Sequence, residues 1–226
     1  MSKKVIFRTA CAIAVITLAG CKIELSSSVP LSALLGQEIK TGSAELYVEV
    51  PSCNDYEDSR KPSKSLIEAK EEISQIFTDS EFKECFKKKL DSIALFSVPI
   101  AYGPDGKVAK DTPQLRVLFN EKNYVYFDLG SGLKSRINNA KNKPSISGGF
   151  SPSDVSLFVN LVNDTGKDIK ADYVSTYIAG TPIIHAAEVN LPNAKNMVLK
   201  LSDVTTAVMF DASENNRAWF MSNINN

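Results

Sequence analysis

Residues 44–90, AELYVEVPSCNDYEDSRKPSKSLIEAKEEISQIFTDSEFKECFKKKL, change hydrophobic period once, and that change sets the fold class. Over 44–50 apolar and acidic residues alternate, the period of a half-buried strand. Pro51 ends it, and 54–64 is a polar loop. Ser65 with Glu68 then has capping-box spacing, and Leu66, Ala69, Ile73, Ile76 and Phe77 recur at the helical period. Thr78 with Glu81 repeats the pattern, so Phe82, Cys85, Phe86 and Leu90 are expected to line one face of a second helix. A strand followed by two helices predicts an α+β fold.

Downstream, 93–102 reads as a strand closed by a turn at 103–106, and 115–119 and 124–129 as a hairpin around Asn120-Glu121-Lys122-Asn123. Gly130-Ser131-Gly132 opens a helix to about residue 142. It fits neither GxGxxG nor GxxxxGK[ST], so it reads as a strand-to-helix turn whose glycines supply backbone freedom. Residues 139–152 concentrate Asn, Lys, Pro, Ser and Gly and form the best internal boundary. Beyond them, 155–162 alternates, 163–167 turns the chain, and 169–178 returns. Further strands are expected at 183–191, 197–201 and 207–210. Residues 213–226 suit either a hairpin arm or a short helix. The expectation is an N-terminal β-α-α-β-β-β-α half packed with a C-terminal, mostly antiparallel β half, divided as 43–145 and 146–226.

The N-terminus sets location. Lys3, Lys4 and Arg8 precede an apolar run, 10–19, ending in small residues, the layout of an export signal. The run is about half of the roughly 20 residues a spanning helix needs. Leu18-Ala19-Gly20-Cys21 resembles the lipobox of bacterial lipoproteins. The resemblance implies recognition of Leu18, Ala19 and Gly20 by signal peptidase II, removal of residues 1–20, and diacylglycerol on the Cys21 thiol, with palmitate-like chains as the membrane anchor. Lys22, a residue other than Asp after that cysteine, resembles an outer-membrane address in a Gram-negative cell. Residues 21–42, rich in serine at first, read as a tether from bilayer to body, with Leu31, Leu34 and Leu35 spaced for a docked helical turn.

Cleavage would remove three basic residues and no acid, leaving 23 of the 26 basic residues against all 26 acidic ones, a net charge near −3. A mildly acidic, mixed surface excludes a nucleic-acid role, which needs a concentrated basic face. Lys87-Lys88-Lys89 reads as a solvated helix end. Cys11 leaves with the signal and Cys21 is acylated, so Cys53 and Cys85 remain, either as a disulfide in an oxidising compartment or as two buried thiols.

Little catalytic chemistry is visible. His185 is the only histidine and lies in a predicted strand, so no multi-histidine metal site or zinc set can form. No GxSxG elbow is present. Asp55, Glu57 and Asp58 lack calcium-loop spacing, and Glu45 and Glu49 read as a solvated strand face. No metal, cofactor or catalytic residue is expected. The sequence therefore points to a lipid-anchored, non-enzymatic envelope lipoprotein, an accessory or structural component with a protein partner. An envelope hydrolase using paired carboxylates and a small-ligand-binding lipoprotein are the alternatives.

Overall fold

A computed structural model describes residues 22–141, 154–210, 217 and 219–225. In chain order these form β1 (Ile23–Pro30), α1 (Leu31–Leu34), β2 (Lys40–Val50), α2 (Lys64–Ile76), β3 (Glu81–Lys88), β4 (Asp91–Pro104), a 3₁₀ turn (Asp105–Lys107), β5 (Leu115–Phe119) and β6 (Tyr124–Leu129). They continue with α3 (Ser131–Lys141), β7 (Val155–Val162), β8 (Ile169–Tyr173), β9 (Thr176–Ile178), β10 (Thr181–Ile183), β11 (Ala187–Leu191), β12 (Asn196–Leu201), α4 (Asp203–Phe210) and β13 (Trp219–Asn225). The class is α+β, as expected.

The strands form one sheet ordered β10-β9-β12-β7-β1-β2-β4-β5-β6-β13-β8-β11, with β3 added to β4 beside β5. It curls until nearly closed. Only Val174 and Ser175 separate β8, near one end of the order, from β9, near the other. There Val174 N donates to Phe220 O and Ser202 N donates to Ser175 O. Inward residues of neighbouring strands build one core with the buried faces of the helices: Leu25 and Val29, Leu46 and Val48, Phe96 and Val98, Leu157 and Val159. α4 packs on both β6 and β7.

Several expectations are corrected. Residues 23–35 are no tether. β1 lies between β2 (antiparallel, Leu25↔Leu46) and β7 (parallel, Leu25↔Leu157), with Ile23, Leu25, Ser27 and Val29 buried. The serine run misled because the interior position Ser27 breaks an otherwise apolar alternation, and its hydroxyl is satisfied by donating to Phe158 O at 3.4 Å. The second helix is instead β3. A bulge between Phe82 and Glu84 lets Phe82 and Cys85, three residues apart, both pack on the core, so a strand carries helical spacing.

Residues 207–210 belong to a helix, α4, because Ser202 caps it, accepting from Thr205 N at 3.1 Å. Residues 169–178 do not return along β7: β8 pairs with β13 and β11, and β9 with β12 and β10. The regions 43–145 and 146–226 contribute to the same sheet, where β6 of the first pairs with β13 of the second. The expected linker falls largely outside the described residues. Within the C-terminal segment, Trp219–Asn225 forms a strand, β13.

Candidate functional site

β1 starts one residue after Lys22, whose carbonyl already accepts from Glu49 N at 3.0 Å. The chain therefore meets the sheet at once, and the start of β1 marks one end of it. Register places the end of β2 (Ile23↔Val48), the start of β7 (Ile23↔Val155), the start of β4 (Val48↔Ala94) and the end of β3 (Lys88↔Asp91) at that same end. Asp91 lies three residues beyond Ala94, which is level with Ile23. At about 3.3 Å per residue, the Lys89-Leu90 turn stands about 10 Å past the start of β1. Lys89 takes the left-handed conformation, φ 60°, that a two-residue turn requires. Leu90 is 97% exposed, and Lys87, Lys88 and Lys89 are exposed beside it. The lysine run is thus a hairpin tip, where a helix end was expected.

The loop after β2 lies against this hairpin. Pro51 breaks the strand, and the Cys53–Cys85 disulfide, with Cα atoms 5.6 Å apart, joins the loop to β3. Asp55 Oδ1 accepts from Glu57 N and Asp58 N at 2.9 and 3.1 Å. Asp58 pairs with Arg60 at 2.8 Å and Lys61 at 3.7 Å, and the Arg60 side chain holds its carboxyl below the usual range. These acids organise a turn, and no group of three metal-ligating side chains occurs among the described residues.

Ser63, not the expected Ser65, caps α2 by accepting from Leu66 N at 3.1 Å, and its own hydroxyl donates to Ser52 O. Tyr56 at the loop's apex is fully exposed. An open cleft of about 750 Å³ separates loop from hairpin, lined by Tyr56, Lys64, Phe86 and Lys87 among others. Lys64 pairs with Glu68 at 3.6 Å. Among the described residues no ion pair engages Lys22, Lys87, Lys88 or Lys89, while Glu57 and Asp91 are exposed nearby.

The remaining candidates separate in space. The N-terminus of α3 is closed to a phosphate: Gln114 Oε1 accepts from Leu133 N at 2.5 Å. Neither Gly130 nor Gly132 takes a positive φ. A Cβ at Gly130 would sit 2.9 Å from Arg116 Nη2, and one at Gly132 would sit 2.8 Å from Gln114 Oε1. The Arg116 and Gln114 side-chain ends packed on these glycines, and not a left-handed backbone, are what glycine accommodates there. His185 lies in an exposed bend between β10 and β11, not in a strand.

Glu45 and Glu49 lie on the outer face, Glu45 exposed and Glu49 half-buried. Tyr47 projects from this face as well; its hydroxyl donates to Glu45 Oε2 at 2.6 Å, and that bond and burial push the phenol up to about 12. Asp79 and Asp111 line one cleft of about 270 Å³ with Lys110 and Arg136, but both carboxylates are exposed, and Arg136 Nε is engaged in donating to Ile76 O at 2.6 Å.

Sequence reasoning missed one polar cluster. Tyr126 OH donates to Asp105 Oδ2 at 2.8 Å and accepts from Arg217 Nη1 at 2.8 Å, while Arg217 reaches Asp105 at 3.1 Å. Burial first, then the Asp105 bond, push the Tyr126 phenol far up. The cluster ties the approach to β13 onto β6. Its three members are 91 and 21 positions apart, so nothing local in the sequence signals it.

Residues 1–21, including Leu18, Ala19, Gly20 and Cys21, lie outside the described residues, and no described helix is long and apolar enough to cross a membrane. No curated protein and no solved structure matches the chain. A family model described as a domain of unknown function (DUF7424) matches residues 23–222, the span from the first residue of β1 into β13, and the chain belongs to that family.

Proposed function

We propose that this protein is a non-enzymatic lipoprotein of the bacterial envelope, anchored through Cys21 in the outer membrane, and that it serves as an accessory or structural component by binding a protein partner. The observation that carries the partner reading is the unpaired outer edge of β10 and β11, the two ends of the strand order among the described residues. Between them Ile184 is 74% exposed. A strand edge offers backbone donors and acceptors in register, and alternate side chains supply selectivity. Tyr177 on β9 and Val198 on β12 add exposed apolar surface on the same side of the strand order.

The test is photo-crosslinking in intact cells from a reactive residue at position 184, followed by purification under mild solubilisation. One partner at near-stoichiometric yield is expected, lost in a Val189→Pro variant that folds normally. Recovery of no partner, or of the same proteins from both variants, would contradict the reading.

A further inference from the structure

We propose that the β3–β4 turn and the 52–63 loop form a membrane-contact face, seated on the same anionic lipid surface that holds the anchor. This rests on lipidation at Cys21. β1 begins at Ile23, so a single residue, Lys22, and two Cα-to-Cα steps, about 7 Å of extended chain, connect the acylated cysteine to the centre of the sheet. Lys22 continues the strand through its bond with Glu49 N, so the chain leaves along the direction of β1. The Lys89-Leu90 turn reaches about 10 Å past Ile23 in that direction, by register and strand rise. An anchor on so short a connection cannot hold the body clear of the bilayer. The turn must reach the headgroups whenever Cys21 does.

The chemistry of this face suits that position. Leu90 and Tyr56, the two most exposed large apolar side chains described, project from it and are sized for the boundary between headgroups and acyl chains. Lys22, Lys87, Lys88 and Lys89, unengaged by ion pairs among the described residues, stand where lipid phosphates would meet them. Glu57 and Asp91 temper the charge. The Cys53–Cys85 disulfide holds loop and hairpin together as one surface.

The experiment uses the mature lipidated protein in vesicles of phosphatidylethanolamine and phosphatidylglycerol carrying brominated acyl chains. Trp219→Phe removes the native tryptophan, and Leu90→Trp, Tyr56→Trp or, as a control, Tyr177→Trp reports position. Tryptophan at 90 and 56 is expected to be quenched at least about threefold more than at 177. Reversing Lys87, Lys88 and Lys89 to Glu should lower quenching at 90 on these vesicles and leave it unchanged on purely zwitterionic ones. Equal quenching at 90 and 177 in lipidated protein would overturn the inference, and an unchanged triple variant would overturn the role given to the lysines. Protein whose mass lacks the acyl modification would instead refute the anchor on which the inference rests.

Discussion

Removing the disulfide should cost more than any surface change in this molecule. Cys53 and Cys85 are separated by 32 positions, so the bond closes a loop of about 33 residues. In the chain-entropy relation, 2.1 plus 1.5R ln n cal/mol/K at n of about 33 comes to about 12.5 cal/mol/K, or about 3.7 kcal/mol at 25 °C. For a body of this size that corresponds to a fall in Tm of about 7–15 °C. The loss should also be uneven. Among the described residues β3 pairs with β4 alone. Without the bond it keeps that ladder, the edge-on contact of Phe82 with Phe96 at 5.5 Å, and Lys70 over the Phe82 ring at 4.0 Å. The assay is denaturant and thermal unfolding of oxidised wild type against the Cys53→Ser/Cys85→Ser double variant, with native-state hydrogen exchange. Amides of β3 should lose more protection than those of the β2–β4 ladder. A double variant melting within about 2 °C of wild type, or uniform loss of protection, would show that the disulfide does not carry this stability.

Other outcomes follow from single positions. Leu25→Ala should destabilise by about 2–5 kcal/mol, because Leu25 is 3% exposed in a central strand, while Glu24→Ala should stay within about 0.5 kcal/mol; equilibrium unfolding compares them. Tyr173→Phe should be neutral or stabilising, since Tyr173 Oη is buried without a hydrogen-bond partner among the described residues and removing an unpaired hydroxyl removes its desolvation cost; a loss above about 2 kcal/mol would contradict this.

Asp164 gives a pH dependence. Burial raises its pKa, but hydrogen bonds from the Ser32 hydroxyl and amide, at 2.5 and 2.8 Å, outweigh that and leave the carboxyl below its ordinary value. A lowered folded value adds stability above the unfolded pKa of about 4, lost as pH falls through the folded value. Asp164→Asn should therefore flatten the acid limb of the stability profile, and an unchanged limb would count against the Ser32 contact.

Legibility in the sequence followed how local each signal was. β2 and β7 alternate cleanly, and β5, β6 and β12 are short apolar runs bounded by turn signals, so all five were readable, as was α2, whose apolar residues keep one face. Where one residue spoiled a period, the reading failed. Ser27 made a central strand look like a tether, and the bulge at Lys83 made β3 look like a helix. In α4, β-branched Val204, Thr205 and Thr206 favour a strand by propensity. The helix forms because Ser202 caps it, Thr205 bonds back to Ser175 O, and Thr206 bonds back to Ser202 O. Pairings between distant strands were illegible, as was the basic tip. Lys87-Lys88-Lys89 was visible as a charge run, but register alone places it at the end of the sheet where β1 begins.

We propose that this body hangs on the membrane by a lipid at Cys21 with almost no tether. Intact-mass measurement of the protein extracted from cell membranes, beside a Cys21→Ser variant, tests it most directly. Loss of residues 1–20, an acylated Cys21, and release of the variant from the membrane fraction are expected. An unmodified Cys21, or a variant that still sediments with membranes, would contradict it.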